Sequence, residues 1–128
     1  MPPPAPSPAE TAYRVPGDLA TVREFVRAES ERLGLTRIRA DLLAVAVSEL
    51  ATNTLQHTDG GGLVRIWAEP GRVRCEVVDG GDPPGFGRAM PSADAPRGRG
   101  LAIVERICDE VGIHPDGEGT AVRLGMLL

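Results

Sequence analysis

The sequence predicts an α+β fold, a two-layer sandwich in which a mixed, mostly antiparallel sheet is covered on one face by helices, and three observations predict it. Apolar residues recur at helical spacing in the stretches Leu19 to Leu33, Leu42 to Leu50 and Leu101 to Cys108. Short runs rich in valine, isoleucine and leucine flank the turn clusters Glu69-Pro70-Gly71-Arg72 and Gly117-Glu118-Gly119-Thr120. In chain order these give strand, two helices, hairpin, long loop, helix and hairpin, a succession that lays helices on one side of an antiparallel sheet.

Each element has its own signal. Residues 1–10 are proline-rich and read as a disordered, polyproline-like tail, so the domain is expected over 11–128. Thr11 to Val15 reads as the first strand. Asp18 stands where a helix cap belongs, ahead of Leu19, Val22, Phe25, Val26 and Leu33, and Gly34 ends that helix. Thr36 caps a second helix running to about His57, stopped by Asp59-Gly60-Gly61-Gly62. Leu63 to Ala68 and Val73 to Val78 form the first hairpin. From Gly80 to Arg97 the chain is glycine, proline, aspartate and serine with few apolar anchors, too long for an ordinary connection, and reads as a functional lid or a disordered loop. Leu101 to Val111 is helical in spacing, and strands around Ile113 and from Thr120 to Leu127 close the sheet.

The 128 residues and 41% hydrophobic content suit one domain with one core. A net charge of -4 gives no general attraction to phosphate backbones or anionic lipid, which argues against direct nucleic-acid or membrane partners. Cys75 and Cys108 are far apart and each lies in an apolar stretch, so both read as reduced core residues rather than metal ligands. The first ten residues lack the basic start and apolar run of a secretion signal, and no segment approaches the length of a membrane span. A cytoplasmic protein is expected.

Four features carry chemistry. On the second helix, Leu42, Leu43, Ala46, Val47 and Leu50 form a broad apolar arc, and Glu49, Asn53 and His57, spaced by four, project from within it. A carboxylate and an amide on a core-facing side need a side chain, a metal or a ligand to satisfy them. The second feature, Asp79-Gly80-Gly81, ends an apolar strand. Alone it fits any strand exit, yet a buried aspartate there can accept a hydrogen bond from an exocyclic amine while glycine lets a flat ring approach. In the third, Arg97-Gly98-Arg99-Gly100-Leu101, glycines open a helix whose amides and positive dipole end suit phosphate. The fourth, Gly117-Glu118-Gly119-Thr120, reads in isolation as a hairpin turn.

Taken together, in order and spacing, these features resemble the GHKL (histidine-kinase-like) ATPase superfamily. Glu49-Leu50-Ala51-Thr52-Asn53 with His57 looks like its N box, Asp79-Gly80-Gly81 its G1 box, Gly98-Arg99-Gly100-Leu101 its G2 box, and Gly119-Thr120 its short final box. The likeness covers roughly Val15 to Leu127. With neither a phospho-accepting histidine helix nor large following domains in the sequence, it is similar to the anti-sigma-factor serine/threonine kinase branch. Departures are Thr54, where the family usually has alanine, Thr58, where a small residue is common, and the lack of lysine.

The resemblance implies ATP and Mg2+ as ligands, with Asn53 holding the metal and Glu49 orienting or deprotonating the attacking hydroxyl. It further implies that Asp79 recognises the adenine amine, that Gly81 allows close approach, and that Thr120 supports the adenine end. Gly98, Arg99, Gly100 and Leu101 would supply amides to the phosphates under a lid from Asp82 to Arg97. His57 is equally well a ligand or an imidazole at the helix end. The implied partners are an antagonist protein phosphorylated on serine or threonine and a sigma factor, with a homodimer left open. Two other readings remain: an ATP-gated regulator that sequesters a partner without phosphoryl transfer, and a non-binding relic of the fold.

Overall fold

The computed structural model describes residues 8–57, 60–79, 96–117 and 119–128, with the side chains at 96–101 and 116 left aside. The elements are β1 (Ala9–Tyr13), a 3-10 turn (Pro16–Asp18), α1 (Leu19–Arg32), α2 (Arg37–His57), β2 (Gly62–Glu69), β3 (Arg72–Asp79), α3 (Pro96–Ile107), β4 (Glu110–Asp116) and β5 (Gly119–Leu127). The strands lie in the order β1-β2-β3-β5-β4. Every described pairing is antiparallel, in keeping with the mostly antiparallel sheet expected.

Three boundaries differ from expectation. β1 starts at Ala9 rather than Thr11, so Ala9 and Glu10, assigned on composition to the tail, pair with Ile66 and Arg65. Arg14 and Val15 instead turn away, because the Asp18 carboxylate accepts from both of their amides, at 2.8 and 3.2 Å, and makes no side-chain cap on α1. The last helix begins at Pro96, a residue pre-set for the first helical position, and ends at Ile107, since Glu110 and Val111 are drawn into β4. Elsewhere the signals hold. Gly34 takes a positive φ of 117° after α1, the Thr36 hydroxyl accepts from the Arg39 amide at 3.3 Å, and Gly71 turns the first hairpin with φ 79°.

Side-chain alternation gives the sheet two unlike faces. On the inner face, register aligns Ala9, Ile66, Cys75, Leu124 and Val111 in one row and Thr11, Val64, Val77, Val122 and Ile113 in the next. Against them pack Val22 and Val26 of α1, Leu43, Ala46, Val47 and Leu50 of α2, and Val104 of α3. Both cysteines are buried and free. The uncovered face is charged, and one row alternates Glu10, Arg65, Glu76, Arg123 across four strands. Arg65 bonds Glu10 at 2.9 Å, Arg123 grips Glu76 at 2.8 and 3.0 Å, and the Arg123 guanidinium lies 5.6 Å over the Trp67 ring.

Candidate functional site

Apart from Thr11, the inner rows are apolar until the last. At the end of the sheet where β3 exits, register aligns Tyr13, Gly62, Asp79, Thr120 and Pro115. Asp79 is the last residue of β3 and is directly paired with Thr120, so two residues far apart in sequence meet as cross-strand neighbours on the helix-facing side. Both are half-buried, which leaves their polar atoms reachable from outside.

Tyr13 occupies the other end of this row and is fully buried. Its hydroxyl donates to the Val78 carbonyl at 3.4 Å, beside Asp79, and Thr54 of α2 hydrogen-bonds the phenol. Burial is the main reason the phenol is pushed up to about 12; the Thr54 bond opposes that shift and the Asp79 charge adds to it. The ring reaches this position because Gly62 has no side chain, and Gly61 leaves room for the Tyr13 backbone beside it. A Cβ at Gly61 would strike the Tyr13 carbonyl, and one at Gly62 would strike the Val78 carbonyl and stand 2.7 Å from the Tyr13 hydroxyl. These glycines, read from sequence only as a helix stop, open a slot over which the tyrosine passes.

Through Tyr13 the end of β3 is tied to the last turns of α2, and this brings Asn53, next to Thr54, to the same end of the molecule as Asp79. The buried face of α2 is rotated from the arc expected: Leu43, Ala44, Ala46, Val47, Leu50 and Ala51 are buried, whereas Leu42 is 41% exposed. Glu49 and Asn53 consequently stand at the border of the buried face, each half-buried, and His57 is exposed in the last turn. Gly98, Arg99, Gly100 and Leu101 lie in the first turns of α3. In a helix that begins at Pro96 the amides lacking an intrahelical acceptor are those of Arg97 and Gly98. Gly81 and the loop expected as a lid fall outside the described residues, apart from Pro96 and Arg97, which are helical.

Among the described residues no cluster of three or more histidine, cysteine, aspartate or glutamate side chains could hold a metal. None of the described helices is long and apolar enough to cross a membrane. Tyr13 and Thr54 were the residues sequence reasoning missed. A signal existed for Thr54 alone, the threonine where the related sequences usually carry alanine.

The family model of the histidine kinase-like ATPase domain matches residues 14–126. Among solved structures, the chain is similar to one containing the RsbU and RsbW domains of Rv1364c from Mycobacterium tuberculosis, with a TM-score of 0.70 and 25% identity over 98% of this chain. It spans only 33% of the length of that mycobacterial chain. It also shares its fold with the histidine kinase domain of a blue-light activated histidine kinase from Erythrobacter litoralis, at a TM-score of 0.52 and 19% identity, covering 97% of this chain and 69% of the other. No curated protein matches it. A family match over nearly its whole length, with a five-stranded antiparallel sheet under three helices among the described residues, shows that the chain belongs to the histidine kinase-like ATPases.

Proposed function

We propose that the domain binds ATP with Mg2+ and transfers the terminal phosphoryl group to a serine or threonine of an antagonist protein, thereby acting as an anti-sigma factor whose hold on a sigma factor is switched by that antagonist. The observation that carries this reading is the meeting of the Asp79–Thr120 pair with the Asn53 turn of α2 at one end of the sheet. The likeness to a chain with an RsbW domain supports the choice of branch.

The half-buried Asp79 carboxylate accepts from the exocyclic amine of adenine, and Thr120 lies beside it across the strand pair. Asn53, a hard oxygen donor at the edge of the core, suits Mg2+, which takes few protein ligands and keeps phosphate and water oxygens for the rest. When bound, the metal neutralises charge on the phosphates. The Arg97 and Gly98 amides at the start of α3, at the positive end of the helix dipole, suit the phosphates. Glu49, one turn before Asn53, orients the attacking hydroxyl and takes its proton as the oxygen bonds to the terminal phosphorus and ADP leaves.

Two measurements test this. Isothermal titration with Mg2+ and ATP gives saturable binding that Asp79→Asn weakens several fold, because an amide presents a donor to the base amine at a cost of about 1–3 kcal/mol. Radiolabelled ATP then transfers label to a cognate antagonist. Binding without transfer favours a nucleotide-gated regulator that sequesters its partner, and unchanged affinity in Asp79→Asn removes the adenine assignment.

A further inference from the structure

Helix α2 is apolar on two sides. Its inner side joins the core through Leu43, Val47 and Leu50, while Ile38, Leu42 and Val45 stand on the opposite side and are exposed, Ile38 at 74%. Successive residues turn by about 100°, so these three fall within about 60° of arc, spaced i, i+4, i+7 as a single stripe. Leu42, counted with the core arc in the sequence, belongs to this second side. A solvent-facing helix row is ordinarily polar, because each apolar side chain left in water forfeits the gain of burial. One exposed apolar residue needs no explanation, but a contiguous row marks a contact surface.

Two observations say what covers it. Glu49 is next on the same line, one turn beyond Val45, so the stripe runs about 16 Å from Ile38 to the carboxylate assigned to the attacking hydroxyl. A protein that brings a hydroxyl to Glu49 lays its neighbouring surface over Val45 and Leu42. The second observation is size. Three side chains are a small part of the roughly 800 Å² that each partner gives to a stable interface, which disfavours a permanent dimer on this face and suits an encounter that ends with each turnover. The charged side chains beside the stripe are engaged elsewhere: Arg27 bonds Asp41, Arg23 bonds Ser48 and Arg39 bonds Asp109. The stripe therefore offers apolar contact, without a free charge of its own to draw an anionic surface.

We propose that Ile38, Leu42 and Val45 dock the protein substrate, an antagonist whose accepting serine or threonine stands at the end of an apolar ridge or helix face long enough to cover the stripe. This rests on the assignment of Glu49 to the hydroxyl. Contacts made away from the reacting atoms hold the ground state and the transition state alike, so they set KM for the antagonist and leave the maximal rate unchanged. They also select among antagonists, since one with charged groups at the matching positions buries them unpaired against the stripe.

The probe is the antagonist that the parent labels from radiolabelled ATP. Transfer is followed against antagonist concentration for the full parent chain, Ile38→Gln, Leu42→Gln, Val45→Gln and the conservative Leu42→Met, and each is titrated separately with Mg2+ and ATP. Glutamine is a good helix former and the sites are exposed, so the fold is kept. Each glutamine variant is expected to raise KM by roughly 10-fold, the scale of one apolar side chain lost from a buried contact, with the rate at saturation and the ATP affinity at the parent values. Leu42→Met keeps the parent KM. A parent KM in all three glutamine variants overturns the proposal. So does a KM that rises only together with weaker ATP binding, which assigns the stripe to the nucleotide site. A parent dimer that the variants dissociate, read by analytical ultracentrifugation, overturns it too and gives the face to a second copy. If one variant fails to fold the others decide, Ile38→Gln at the most exposed position first. A parent that labels no antagonist overturns the function along with the docking surface, a result distinct from a parent that transfers and variants that keep its KM.

Discussion

Glu49 and Asn53 stand one turn apart at the border of the buried face of α2, and their chemistry separates there. A metal-holding Asn53 makes binding and transfer fail together, so Asn53→Ala is expected to lose Mg2+-dependent ATP affinity and phosphorylation alike. Glu49→Ala is expected to keep its affinity while transfer falls by roughly 100-fold, the scale of a lost general base. Paired titration and single-turnover transfer check this, and a Glu49→Ala variant that loses binding as fully as Asn53→Ala makes Glu49 a structural or metal-shell residue. At this scale Glu49 and Asn53 stood out in the sequence as polar groups within an apolar arc, whereas Asp79 and Thr120 took their expected roles only from the family resemblance. Tyr13 could be named from neither, since it lies in an edge strand outside every box, and only cross-strand register reveals its row.

The elements explain what burial alone does not. The charged row on the open face of the sheet is held by Glu76, whose side chain is 8% exposed. Its burial opposes ionisation, but bonds and charge from Arg123, with His114 and Arg65, outweigh that and hold the carboxyl below the usual range. A depressed value means stability present above the ordinary carboxyl range and lost as pH falls through the lowered one. Glu76→Gln is therefore expected to cost about 1–3 kcal/mol at neutral pH, less than a fully buried pair because Arg123 is partly solvated. Denaturant midpoints for parent and variant should converge as pH falls below the value at which Glu76 itself takes up its proton. The alternation of Glu10, Arg65, Glu76 and Arg123 is present in the sequence only as scattered charges. Strand order and register assemble it, and neither is encoded locally.

At the level of the whole molecule the fold class was legible because each element carries its own punctuation: Gly34 and Thr36 between the helices, Pro70-Gly71 and Gly117 in the hairpins. The start of α3 was not, since Pro96 and Arg97 were counted with the long proline- and glycine-rich loop that precedes the helix. Among the described residues the core that results holds three titratable groups. Tyr13 is pushed up to about 12 and Cys108 to about 12, burial leading in each case, and burial raises Cys75 further. Unfolded, these groups lose protons at their ordinary values, so stability is complete below that range and falls as pH rises through it. Tyr13→Phe should flatten the decline between about pH 10 and 12 by about 2–3 kcal/mol. Denaturant midpoints across that range measure it, and parallel curves would mean the phenol is not held protonated by the fold.

Tyr13, Gly62, Asp79 and Thr120 come from four strands and from both halves of the chain, so their row is assembled only by distant segments meeting. Local hairpins close early and cheaply; an edge strand joined to its partner across both α1 and α2 closes late. A ligand gripping that row would find nothing to hold on a half-formed sheet, and its affinity would be conferred in a single step, at the moment β1 and β5 take their places beside β2 and β3.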